Sequence, residues 1–166
     1  MLTKVMLDKL NKQLNFEFFS SNVYLQMASW ADTQGLEGCA EFLKKQAKEE
    51  LVHMHKIFEY VLESGEMAVV GKLDAPPTDY DSVEEIFKKA LEHEKQVTKR
   101  IHDIADTAWK DKDLATFNFI QWFVAEQHEE ETSFGKIIDK IKLIGTDKRT
   151  VYMIDKAMAK LAAEKK

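Results

Sequence analysis

The sequence predicts an all-α fold: a bundle of four long helices, with a long crossover between the second and third and a short fifth helix at the C-terminus. Three observations carry this. Only six glycines and two prolines occur among 166 residues, 45% of them apolar, too few turn-formers for many short strands. Apolar residues recur at alternating three- and four-residue spacing through four long stretches, which gathers them on one helical face. Capping residues and glycines sit where those stretches begin and end.

The first helix runs from Thr3, an N-cap candidate, to about Gln34, with Gly35 placed to end it. The second starts near Gly38 and reaches Ser64, with Gly65 beyond. The stretch GEMAVVGKLDAPPTDYD follows without helical periodicity and carries Pro76 and Pro77. Near full extension its 17 residues span about 55 Å. Helices of roughly 28–32 residues are about 40–48 Å long, so the link can run the length of the bundle and leave helices two and three parallel. Ser82 and Glu85 form a capping-box pattern that opens the third helix, lasting to about Lys110. Asp111 or Asp113 caps the fourth, which ends before Gly145. Thr146 or Asp147 starts the fifth segment, KRTVYMIDKAMAKLAA, whose Val151, Ile154, Met158 and Leu161 form one apolar stripe. The whole chain, 1–166, reads as one domain, with the bundle over about 3–144 and the C-terminal helix over about 147–163.

Composition excludes several function classes. The net charge of -5 gives no electrostatic footprint for nucleic acid or an anionic membrane. Cys39 is the only cysteine, which rules out an intrachain disulfide and thiolate metal clusters. With no signal-peptide core or transmembrane run, the expectation is a soluble, cytoplasmic protein. Cys39 itself is read as a packed side chain rather than a reactive one.

Each apolar seam is interrupted by a carboxylate near its middle. The first runs Leu7, Leu10, Leu14, Glu17, Ser21, Tyr24, Ala28; the second Leu43, Gln46, Glu50, His53, Ile57, Tyr60. The third runs Ala90, Glu94, Val97, Ile101, and the fourth Phe123, Gln127, Glu130, Phe134. In an up-and-down bundle helix midpoints share one level, so Glu17, Glu50, Glu94 and Glu130 are expected to converge, with His53 one turn from Glu50. Buried carboxylates without partners cost several kcal/mol each or titrate to neutral. No lysine or arginine occupies a neighbouring seam position. Divalent cations supply the missing charge; a proton-sharing network is the alternative. Oxygen ligands with one imidazole suit iron or manganese and accept zinc. His55, His93, His102 and His128 lie off the seams and are expected in solvent. By spacing alone Glu49, Glu126 and Glu129 read as a solvated acidic face, Tyr24 as core, and Trp122 as core packing beside the seam.

The stretches NFEFFSSNVYLQMASWAD, KEELVHMH, LEHEKQVT and AEQHEEE closely resemble the bacterial non-haem ferritin family, in the same order and spacing over essentially the whole chain. Inward glutamates on facing helices are a general property of ferritin-like bundles. The resemblance implies a ferritin-like fold with a ferroxidase centre for two iron ions. Glu17, Glu50 and His53 would hold the first ion, and Glu50, Glu94 and Glu130 the second. It also implies a third iron position at Glu49, Glu126 and Glu129, shared with Glu130. Tyr24 becomes an electron donor near the first iron, and Gln127 a residue that tunes the second by hydrogen bonding. The implied function is oxidation of Fe(II) by O2 or H2O2 and storage of the ferric mineral in a 24-subunit shell, the fifth helix packing about its fourfold axes. Position 130 is Glu where bacterioferritin-type sites carry His, and Val52 stands at that relative's haem-methionine position. No haem is therefore expected. TFNFIQW lacks the acids that line the threefold pores of animal ferritins, which leaves the iron path open.

Overall fold

In the computed structural model, which describes residues 2–145 and 147–164, the chain forms five helices. They are α1 (Lys4–Thr33), α2 (Glu37–Glu63), α3 (Val83–Lys110), α4 (Leu114–Ile144) and α5 (Lys148–Glu164), and no strand occurs among the described residues. None of these helices is long and apolar enough to cross a membrane.

The expected caps form. Thr3 accepts a hydrogen bond from the Met6 N–H, and Ser82 from that of Glu85. The Glu85 carboxylate reaches the Asp81 N–H at 2.5 Å, one residue further out than an ordinary capping box. Of the two candidates for the fourth helix, Asp113 is the cap, its carboxylate accepting from the Thr116 N–H and hydroxyl. Asp147 caps α5 through Arg149 and Thr150; Thr146 lies outside the described residues. Gly35, at φ 74°, ends α1 with Gly35 N–H on Asp32 and Leu36 N–H on Ala31, a left-handed turn that glycine makes without strain.

Two apolar clusters fix the helix directions. One gathers Tyr24, Met27 and Ala31 from late α1, Ala40 and Leu43 from early α2, Ile86 and Phe87 from early α3, and Phe134 and Ile137 from late α4. The other joins Leu10 and Leu14, Ile57 and Val61, Val97 and Ile101, and Ile120 and Phe123. Early α2 thus shares a layer with early α3 and late α1, so α2 and α3 run parallel and the crossover spans the bundle. Asn11 and Asn15 pin that crossover to α1. Asn11 Oδ1 accepts from the Val69 N–H at 2.8 Å, while Asn15 donates to the Val69 carbonyl and accepts from the Gly71 N–H.

The fifth helix packs on α2, and Ile154 and Met158 join the first cluster with Val151 and Leu161 at its margin. A Cβ on Gly38 would lie 2.0 Å from the Asp155 carbonyl oxygen, so only glycine allows this approach. Leu36 offers α2 no side-chain cap, and Asp155 accepts from the Cys39 N–H at 2.8 Å instead. Cys39 is buried as expected, and burial with Asp155 alongside pushes its thiol pKa up. Between the two clusters lies a polar layer.

Candidate metal centre

The polar layer holds the four seam carboxylates and His53. Glu17 comes from α1, Glu50 and His53 from α2, Glu94 from α3 and Glu130 from α4; none exceeds 8% exposure. The helical repeat that lines up each apolar seam carries these groups inward with it.

The layer has two unlike halves. Glu17, Glu50 and His53 each offer a ligand atom within 4.8 Å of the others, the only such group of three or more among the described residues. Glu17 Oε2, Glu50 Oε2 and His53 Nδ1 are buried without a hydrogen-bond partner. His53 Nδ1 stands 3.6 Å from Glu50 Oε2, too far for a hydrogen bond. Gln13, one turn back on α1, serves this half by donating to Glu17 Oε1 at 2.8 Å. Trp122 is half-buried with its ring edge-on to His53 at 5.4 Å between centroids, and the Lys56 ammonium sits over the Trp122 ring at 4.3 Å.

The other half is supplied with donors. Tyr24 donates its hydroxyl to Glu94 Oε1, and Gln127 donates to Glu94 Oε2 at 2.9 Å. Gln46 donates to Glu130 Oε2 at 2.9 Å. The Tyr24 ring is stacked on Phe134 at 6.0 Å and meets His93 edge-on at 6.2 Å.

Crowded acids in a dry layer resist ionisation. Burial, then the neighbouring Glu50, raises the Glu17 pKa well above the carboxylate range. Burial, then Glu94, does the same to Glu50. Glu94 rises to about 7, burial outweighing the opposing hydrogen bonds from Tyr24 and Gln127. Burial, then Glu94, also holds the Tyr24 phenol far above its ordinary value. Three converging residues, each with an orphaned ligand atom, fit a hard or borderline divalent cation, which would neutralise the acids and occupy the lone pairs.

Glu49 and Glu126 are half-buried and Glu129 is exposed; they do not form a convergent ligand group of the kind made by Glu17, Glu50 and His53. His55, His102 and His128 are exposed as expected. His93 corrects the sequence reading. It is buried, its Nε2 2.7 Å from Ser20 Oγ and its ring stacked on Phe16 at 5.1 Å. Its place in LEHEKQVT sits off the α3 seam, but the α1 side of that helix is also covered, by the phenylalanines of NFEFF. Burial, then Arg100, lowers its pKa to about 4. Gln13 and Gln46, each four residues before a ligand glutamate, also carry more than spacing assigned them. For Gln13 the signal was present, since a polar residue one turn from a buried acid on the same face can serve it, whereas Gln46 reaches across the bundle to Glu130.

A four-helix bundle with one crossover and buried carboxylates from all four helices around a histidine defines a di-metal carboxylate protein. The chain belongs to the ferritin family: the family model described as a ferritin-like domain matches residues 7–144. It is 43% identical to a probable bacterial non-heme ferritin-like protein of Haemophilus influenzae over 164 residues, 99% of either chain. A bacterial non-heme ferritin of Escherichia coli is 40% identical over 97% of this chain and 98% of that protein. Among solved structures, a novel open pore ferritin from the hyperthermophilic archaeon Archaeoglobus fulgidus superposes with a TM-score of 0.93 at 42% identity, covering 95% of this chain and 96% of that one.

Proposed function

We propose that this chain is a ferroxidase and iron-storage protein that binds ferrous ions as substrate in the polar layer and keeps the ferric product inside a shell of 24 copies. The observation that carries the reading is the convergence of Glu17, Glu50 and His53 in a buried layer, each keeping an oxygen or nitrogen without a hydrogen-bond partner. Membership of the ferritin family and relatives named as bacterial non-haem ferritins support it.

In this reading Glu17, Glu50 and His53 take the first ion, and Glu50, Glu94 and Glu130 the second, with Glu50 shared. Each ferrous ion gives up one electron. Dioxygen takes the pair with two protons and leaves as hydrogen peroxide; peroxide takes a pair with two protons and leaves as water. Tyr24, expected beside the first ion, hydrogen-bonds Glu94 of the second; where the oxidant takes a further electron Tyr24 would lend it and regain it from a later ferrous ion, and Gln127 orients Glu94 as a donor. Glu49, Glu126 and Glu129, sharing Glu130, would hold a third iron ion. The chain acts as one domain over 1–166 in the cytoplasm. Enclosing the centre in a shell keeps hydrolysing ferric iron from precipitating at large.

Anaerobic loading with ferrous iron followed by oxygen tests this. Two ferrous ions per chain and a fast oxidation phase are expected, with Glu17→Ala losing that phase. A Glu17→Ala protein with the full fast phase, or a wild-type chain that never forms a particle of roughly half a megadalton, overturns the reading.

A further inference from the structure

The orientation of Gln127 is decided outside the ligand set. Its Nε2 lies 2.9 Å from Glu94 Oε2, 3.3 Å from the Glu94 carbonyl and 3.5 Å from Thr98 Oγ1. Thr98 in turn donates its hydroxyl to Glu131 Oε1 at 2.5 Å. A hydroxyl has one proton, and Glu131 takes it. Toward Gln127 the oxygen can offer only lone pairs, so the group it meets is an N–H. Rotating the amide by half a turn would set its oxygen against both those lone pairs and the Glu94 carboxylate. Gln127 is 1% exposed, so the mismatch would be buried rather than left in bulk solvent. Thr98 and Glu131 border the groove between α3 and α4, alongside His102 and His128. Three side chains therefore link a solvent-facing groove to the Glu94 side of the polar layer.

We propose that Thr98, held by Glu131, is a positioning residue for the second ion, keeping Gln127 a hydrogen-bond donor when Glu94 turns its oxygens toward a metal. The inference rests on the two-ion reading above. Without metal, Glu94 alone suffices to attract the amide N–H. Once Glu94 moves toward an ion its hold on the amide weakens, and Thr98 is the contact that still specifies N–H. With Thr98 absent, the amide is free to rotate and direct its oxygen at the carboxylate that must stay in place. Partners of metal ligands commonly matter at the level of about 10–100-fold in affinity.

The test is anaerobic calorimetric titration of the assembled protein with ferrous iron, on wild type, Thr98→Val and Thr98→Ser. Valine keeps the shape and loses the hydroxyl; serine restores it. Thr98→Val is expected to bind the second ferrous ion about tenfold more weakly, with the first ion unchanged within about twofold, and Thr98→Ser to recover wild-type affinity. Metal-free melting of the same samples confirms that the fold is intact. Equal second-ion affinity in wild type and Thr98→Val overturns the inference. So does parallel weakening of both ions, or failure of serine to rescue. A wild-type protein that binds no ferrous pair brings down the two-ion reading itself, an outcome distinct from all of these.

Discussion

The two halves of the polar layer contain similar groups in opposite states. On the Glu17, Glu50 and His53 side, three ligand atoms are buried with no partner. On the other side, both Glu94 oxygens accept hydrogen bonds, from Tyr24 and Gln127, and Glu130 accepts one from Gln46. In the first half the acids stay neutral and leave ligand atoms without partners, which a cation can occupy; in the second the donors already in place must be released to accept an ion. The two ions should therefore bind in order. The first ion gains ligand atoms that have no partner to give up, whereas the second trades existing bonds for new ones.

Removing His53 tests that order with the largest effect. His53→Ala is expected to weaken the first ferrous ion by about 100-fold or more and, through the shared Glu50, to weaken the second as well. Gln46→Leu, which strips a donor from Glu130, should leave the first ion unaffected. Anaerobic calorimetry on both variants reads this directly, and equal losses for the two ions in Gln46→Leu would break the asymmetry.

Metal-free stability separates the halves next. Glu17→Gln replaces a crowded, poorly partnered acid by a neutral isostere and should stabilise the metal-free protein by roughly 1 kcal/mol or more. Glu94→Gln should not, because an amide can replace only one of the two acceptor oxygens that Tyr24 and Gln127 use. Its NH2 must confront one of those donors, at about 1–3 kcal/mol for the bond left unmade. Chemical denaturation of both variants without metal is expected to place Glu17→Gln above wild type and Glu94→Gln at or below it. The opposite ranking would show that the hydrogen bonds drawn around Glu94 do not govern its burial.

Most of this contrast was out of reach of the sequence, while the layer itself was not. Glu17, Glu50, Glu94 and Glu130 interrupt apolar seams at helix midpoints, so periodicity places them at one depth. Helix ends were equally legible, because Thr3, Ser82 and Gly35 act through bonds to residues three or four positions away. His93 was not. Its burial depends on which phenylalanines of α1 face α3, a matter of how two helices are rotated against each other, and a single seam does not record rotation. Nor could spacing distinguish a satisfied acid from an orphaned one, since the Tyr24–Glu94 and Gln46–Glu130 pairs join residues 70 and 84 positions apart. The same holds for Asp155, which caps α2 from 116 residues away.

Titration offers a sharper measure of the acids together. Glu94 has its pKa raised to about 7 from an ordinary 4.5, and Glu17 and Glu50 are displaced in the same direction. Between pH 4.5 and about 7 the folded metal-free chain retains protons that the unfolded chain has released, so stability falls as pH rises through that window. His93 acts in the opposite sense. Its pKa, lowered from 6.5 to about 4, makes its contribution complete above 6.5 and lost as pH falls toward 4. Denaturant titration of the metal-free protein across this range should show Glu94→Gln with the shallower loss toward neutral pH and His93→Gln with the shallower loss toward acid. Divalent metal should reverse the first trend, because ligands surrender their protons to bind it. Identical pH slopes in wild type and Glu94→Gln would mean that Glu94 titrates alike in the folded and unfolded chains.

The smallest expected effect is the most specific to the donor-rich half. Tyr24→Phe keeps the ring that stacks on Phe134 at 6.0 Å and meets His93 edge-on, so packing is preserved and only the hydroxyl bond to Glu94 Oε1 is lost. Glu94 Oε2 retains Gln127. The lost bond is one of two that hold the Glu94 pKa down against burial, so without it Glu94 keeps its proton to higher pH. A second ferrous ion must then displace that proton more often. Second-ion affinity in Tyr24→Phe is expected to fall a few-fold, and the ratio to wild type to widen as pH is lowered from about 8 to about 6. The first ion, bound without Tyr24, should hold within about twofold at both pH values. A deficit that does not change with pH would assign the hydroxyl a purely steric role, and a first ion weakened as much as the second would erase the distinction between the halves.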